Sequence, residues 1–180
     1  SVAGNQANVK LQMNYQGNWG WYWAVDDIKI VETDNYDLKL QTTAWGTDGA
    51  FGARLPYYQV PIAQIAPINF GGVVKNIGVQ DISDATFGAI INGVYTGTSA
   101  PSFIAASSLD TLWCATTFTP AAISAMHSVQ LGVTTSQTEP DMTNNTMPNI
   151  NIDVNNNIYA RDKGTILGGI GNLLDGDGWK

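Results

Sequence analysis

Asp26 and Asp27 stand side by side just after the aromatic run Trp19-Gly20-Trp21-Tyr22-Trp23. Paired carboxylates can divide acid and base roles or hold a hard cation. Consecutive residues of a strand point to opposite faces, so these two make a poor catalytic pair. They read first as a loop cap beside an exposed charge, and second as ligands of a structural Ca²⁺ whose other oxygens come from elsewhere in the fold. Trp19, Trp21 and Trp45 have flat faces that could stack on sugar rings, and core packing is the competing role. His127, the only histidine, opens an alternating run and reads as a partly buried structural residue. No Ser, His and Asp set can be defended as a triad, because a triad is a geometry and nothing in the sequence fixes one.

Cys114 is the single cysteine, which excludes an internal disulfide and a Cys-based metal cluster. Its inward parity beside Leu112 and Thr116 predicts a buried, inert thiol. Glu139-Pro140-Asp141 places carboxylates in a loop that is either a solvated turn or a Ca²⁺ ligand between modules. Asp175-Gly176-Asp177-Gly178 has the opening of a Ca²⁺ loop without the closing Glu. The Gly-rich stretch at residues 44–52 lacks the Gly-Lys-Ser/Thr ending of a phosphate loop and reads as a linker packing Trp45 and Phe51 on a neighbour. The sequence therefore predicts no catalytic residue and no required cofactor, with calcium as the one candidate ion.

Composition narrows the partners. The chain has 180 residues, 44% of them apolar and only 13% charged, with a net charge of -7. Low charge with abundant Asn, Thr, Gly and Ser suits a secreted β-protein. Phosphate binding needs clustered Lys and Arg, and the eight present are scattered, which argues against nucleic acid and against anionic membranes. No apolar run approaches the ~18 residues that would cross a bilayer as a helix, so no membrane insertion is expected. The chain opens at Ser1 without a methionine or a signal-like segment and reads as a processed chain or a piece of a longer one.

The elements that must position these residues are strands. Val129, Leu131 and Val133 alternate with Ser128, Gln130 and Thr134, the period-two pattern of a strand with one buried face. Leu112, Cys114, Thr116 and Phe118 predict a second inward row, Phe87, Ala89 and Ile91 a third, and Ile150, Ile152 and Val154 a fourth. Between them Asn76-Ile77-Gly78, Asn92-Gly93, Ser99-Ala100-Pro101 and Thr119-Pro120 turn or break the chain. Several short strands at this spacing predict a β-sandwich. Gly71-Gly72 inside a strand pattern predicts a bulge between Phe70 and Val74. Residues 36–41 give one more candidate strand. Nearer the start, Val9, Leu11, Met13 and Tyr15 alternate before the turn Gln16-Gly17-Asn18, and an apolar strand follows, which together predict a hairpin.

The order Val74-Lys75-Asn76-Ile77-Gly78, Asn92-Gly93, Phe118-Thr119-Pro120, residues 127–135, Glu139-Pro140-Asp141 and Asn144-Asn145 resembles the CARDB-like adhesion domains, bacterial surface modules with an immunoglobulin-like fold. Pro56-Tyr57-Tyr58-Gln59-Val60-Pro61-Ile62-Ala63-Gln64 looks like the lead-in to such domains in large secreted proteins of Bacteroidetes. The run at residues 17–30, with Ala24-Val25-Asp26-Asp27-Ile28, resembles the closing strand of MAM-like, concanavalin-type, anchor-associated jelly rolls. That resemblance implies the structural calcium at Asp26 and Asp27. Asp110-Thr111-Leu112 resembles the O-glycosylation pattern of Bacteroidetes secreted proteins and would place a glycan on Thr111. Asn144-Asn145-Thr146 fits the eukaryotic N-glycosylation pattern, which the bacterial resemblance makes idle.

The expected fold is all-β, an immunoglobulin-like β-sandwich with an N-terminal hairpin remnant of a jelly roll and an extended C-terminal tail. Residues 1–32 are expected to be that hairpin, 33–66 a linker and lead-in, 67–155 the sandwich, and 156–180 the start of a further module or a docking tail. The expected role is structural and adhesive: an extracellular or cell-surface part of a multidomain protein, exported through the type IX pathway as the resemblance implies. Its partners would be neighbouring domains of the same precursor or another subunit, and a surface glycan or protein. An accessory region of a secreted peptidase and a carbohydrate-binding module are the competing readings.

Overall fold

Alternation over 85–91 and 125–134 builds the two central strands, and a computed structural model shows how the rest of the chain assembles on them. It describes residues 32–46 and 57–160, with positions 10, 12–14, 16–17, 24 and 26 ahead of them. The chain divides into two compact units, 1–33 and 34–180. The hairpin expected in the first unit lies outside the described residues, as does the tail beyond Ala160.

In the second unit the strands are β1 (Leu38–Gly46), β2 (Gln59–Pro61), β3 (Asn69–Asn76), β4 (Ile82–Ile91), β5 (Val94–Thr98), β6 (Ser102–Ile104), β7 (Leu109–Trp113), β8 (Ala125–Thr134) and β9 (Ile150–Asn155). Short 3₁₀ turns occupy Ile62–Gln64 and Thr143–Asn145. One sheet has the order β1-β3-β7, and the other β2-β9-β8-β4-β5 with β6 also paired to β4. All pairs are antiparallel except β2 with β9. Neither sheet closes on itself, so the protein is an all-β sandwich of two open layers. Among the described residues no helix is long and apolar enough to cross a membrane.

The predicted inward rows form the core. Phe87, Ala89 and Ile91 of β4 lie opposite Val133, Leu131 and Val129 of β8, and all six are buried. Ile152 and Val154 extend that face; Leu38, Leu40, Phe70, Val74 and Leu112 supply the facing one. Each such side chain contributes roughly 1.5–3 kcal/mol of burial. The row through Cys114 ends early, however: β7 stops at Trp113, Thr116 is exposed and Phe118 half-buried. Asn92 and Gly93 turn β4 into β5 with φ of 52° and 78°, a two-residue hairpin in which both positions need the left-handed region.

Within residues 33–66, expected to be a linker and lead-in, two strands belong to the sandwich: β1 pairs along the whole of β3 and β2 pairs with β9. The candidate strand at 36–41 is the first part of β1. Contrary to expectation, no bulge falls at Gly71-Gly72: the register shift lies in β1 between Leu40 and Thr42, leaving Gln41 as the extra residue. That insertion lets Leu40 and Trp45 both face inward although five positions apart, which conceals the strand from a period-two reading. The glycines serve close approach instead. A Cβ on Gly72 would lie 2.7 Å from Leu40 Cδ1 and 2.9 Å from Phe87 Cε2, and one on Gly71 would collide with the Trp113 ring.

Registers define two poles. At one, which we call the first pole, the end of β3 meets the loops at 77–81 and 104–108; at the second, Asn92, Phe118, His127 and the end of β9 gather. The chain enters at the first pole, where Val79 N–H donates to Asp34 O and Gln80 N–H to Asn35 O. The last described residue, Ala160, pairs with Gln59 at the second pole after β9 has run out.

Candidate functional site

The densest polar arrangement sits at the first pole, where β1 begins beside the 3₁₀ turn Thr143–Asn145. The turn is shaped locally: Asp141 accepts from the Thr143 N–H at 2.8 Å and from its hydroxyl at 2.6 Å. Asn145 N–H donates to Met142 O, and Met147 N–H ties the segment to Leu131 of β8. This folds Asn144 and Asn145 inward against Asp37 and Glu139. Asn144 Nδ2 donates to Asp37 Oδ1 at 2.9 Å, and Asn145 Nδ2 donates to Glu139 Oε2 at 2.7 Å. Asp37 is buried, and Asn145 is only 3% exposed.

Three oxygens of this cluster, Glu139 Oε1, Asn144 Oδ1 and Asn145 Oδ1, are buried without a hydrogen bond of ordinary geometry. Burial pushes the Glu139 carboxyl above the usual carboxylate range; the Asn145 amide and the Leu38 N–H oppose the rise, and the Asp37 charge adds to it. Of the Glu139-Pro140-Asp141 loop, then, Glu139 is half-buried structure, while Asp141 is an exposed turn former held below its ordinary value by Thr143. Sequence patterns marked Glu139 and Asn144-Asn145 but missed Asp37, whose place depends on β1 joining the sandwich.

The other predicted residues lie apart. Trp45 is 5% exposed, donates its indole N–H to Tyr57 O at 3.1 Å and meets Tyr58 edge-on at 5.3 Å. Its ring is a core element with no open face for a sugar, so packing wins over stacking at this position. Trp19, Trp21 and Asp27 lie outside the described residues, and Asp26 is exposed. Thr111 is exposed on β7, an edge strand of its sheet. His127 is half-buried against Phe118 at 5.2 Å, with Nδ1 3.2 Å from Asn92 Nδ2 at the second pole. Cys114 is buried, its Sγ 3.5 Å from Gly97 O, and burial raises its thiol to about 11. Among the described residues no three His, Cys, Asp or Glu side chains converge on one point. The outer face of β4 and β8 carries a trough of ≈ 200 Å³ floored by Gly88 and Gly132 and walled by Ile90, Gln130 and Thr146.

No family model matches the chain, and no curated protein matches it at a significant level. Among solved structures it is similar to the crystal structure of the CARDB domain of the PF1109 protein from Pyrococcus furiosus, in complex with di-metal ions. The identity is 16% and the TM-score 0.51, over 71% of this chain and all of that one (100%). The solution NMR structure of the same domain matches at 18% identity and a TM-score of 0.48, over 68% of this chain and 97% of that one. At this identity the likeness concerns architecture, and the described sandwich has the CARDB-like, immunoglobulin-like fold.

Proposed function

We propose that this chain is a non-catalytic structural module of an extracellular or cell-surface multidomain protein, positioning or docking the domains on either side of it. The observation that carries this reading is the fold: an open, two-layered sandwich of CARDB-like, immunoglobulin-like architecture. The CARDB-like fold supports the adhesive class of role without naming a ligand.

The finer address, a Bacteroidetes surface protein exported through the type IX pathway with MAM-like strands ahead of the sandwich, rests on sequence resemblance. So does a glycan on Thr111, whose exposure on an edge strand makes it reachable. The partners proposed are neighbouring domains of the same precursor or another subunit, and a surface glycan or protein. No cofactor is needed for such a role. The neighbour's di-metal complex makes a structural ion worth testing, and the bare oxygens beside Asp37 are chemically suited to one.

Protease shaving of intact source cells, followed by peptide mass spectrometry, tests the address and the setting together. Release of peptides from residues 34–160, joined to flanking sequence on both sides in undigested protein, is expected. Recovery of those peptides only after lysis would overturn the surface assignment.

A further inference from the structure

We propose that Asp37, Glu139, Asn144 and Asn145 form a site for one hard divalent cation, Ca²⁺ by preference, at the first pole of the sandwich. Both asparagine amides face carboxylates, which only accept, so each Nδ2 must point at the acid and each Oδ1 must be the bare atom. Because Oδ1 and Nδ2 share one amide carbon, Asn145 Oδ1 sits beside the Glu139 carboxylate. The residue is 3% exposed and that oxygen has no partner. Asn144 Oδ1 is unpartnered in the same way, and Glu139 Oε1 makes no hydrogen bond of ordinary geometry although the Leu38 N–H acts on this carboxyl. The cluster is thus rich in acceptors and short of donors, and a buried acceptor left unpaired costs about 1–3 kcal/mol.

A cation answers all of these oxygens at once. Every one is a hard oxygen of the carboxylate or amide type that Ca²⁺ prefers, and water would complete a shell of about 6–8 ligands. The two carboxylates repel each other, and among the described residues no Lys or Arg acts on Glu139. Mg²⁺ demands a stricter octahedron and holds its own waters, so it is the poorer fit to two neutral amides. The three segments that supply the ligands, the start of β1, the loop after β8 and the 3₁₀ turn, would be cross-linked by the ion.

The test is thermal unfolding and calorimetric titration of the full chain stripped with EDTA, with CaCl₂ as the probe. Wild type is expected to gain about 4 °C or more in Tm at saturating Ca²⁺ and to bind one ion with measurable heat. Glu139→Gln removes a charge and puts an amide donor among the bare oxygens; it should fold without Ca²⁺ and lose the Tm response. Asp37→Asn should weaken binding at least tenfold. Asp153→Asn, at the second pole, should respond as wild type does. No Tm change and no heat in wild type would overturn the proposal, and so would a full response in both cluster variants or a lost response in Asp153→Asn.

Discussion

The side-chain amide of Asn76 donates to Ile104 O over 3.1 Å, joining two residues 28 positions apart that belong to different sheets. The same Nδ2 donates to Gln80 O at 2.8 Å, and Oδ1 accepts from Gly78 N–H at 3.0 Å. Asn76 is fully buried, so its side chain substitutes for water around backbone groups of the loop after β3 and of the end of β6.

Replacing Asn76 with Ala should therefore destabilise the sandwich by about 3 kcal/mol, near 1 kcal/mol for each lost bond with added cost for stranded carbonyls. Chemical denaturation measures this. A loss under about 1 kcal/mol would mean the clamp is replaced by solvent.

Gly72 and Gly93 should fail for different reasons. Gly72→Ala pushes a methyl into Leu40 and Phe87 and should cost about 1–3 kcal/mol by overpacking. Phe87→Leu should recover part of that, a positive coupling readable in a double-mutant cycle. Gly93 has open space around it and a φ of 78°, so Gly93→Ala costs about 1 kcal/mol of backbone strain and shows no coupling to Phe87.

Cys114 should resist alkylation in the folded chain at pH 8 and react as a single thiol in denaturant. Its folded pKa, about 11, lies above the ordinary thiol value of about 8.5, so the unfolded state loses its proton first. Stability is whole below about pH 8.5 and falls as pH climbs toward 11. Tyr57, pushed up to about 12 mainly by burial, extends the same decline. A denaturation midpoint that stays flat from pH 8 to 10.5 would contradict this burial.

Asp84 supplies the acid limb. Hydrogen bonds from Ser136 and Thr135 hold its carboxyl below the ordinary range, with Thr135 Oγ1 at 2.5 Å from Oδ1 and Ser136 N at 2.9 Å from Oδ2. Its contribution is present above the unfolded value of about 3.9 and is lost as pH falls through the folded one. The site is close to solvent, so Asp84→Asn should cost only about 0.5 kcal/mol at pH 7 and flatten the stability profile below pH 4. A profile unchanged by the substitution would show that the loop after β8 does not depend on this carboxylate.

Alternation was enough to read the second half of β4 and most of β8 and β9, because each of these runs has one face in the core. Asn92-Gly93 was legible for a local reason too: two consecutive positions in the left-handed region favour these residue types almost alone. The buried Cys114 followed from parity. These are features whose cause lies within a few residues of the feature itself.

What only the tertiary structure decided has its cause far along the chain. Gln41 is an extra residue only relative to β3, so β1 looked like half a strand followed by a linker. Gly71 and Gly72 have ordinary strand roles, and it is Trp113, Leu40 and Phe87 that forbid a side chain there. Trp45 read as a packing residue ahead of a stacking one, but its partners, Tyr57 and Tyr58, come from a later segment. Asp37 and Asn144 are 107 positions apart, and their meeting exists only because the first strand docks against the turn that follows β8. Periodicity reports which face of a strand is buried; which strand it is buried against, and which acids then meet at one pole, is settled by packing.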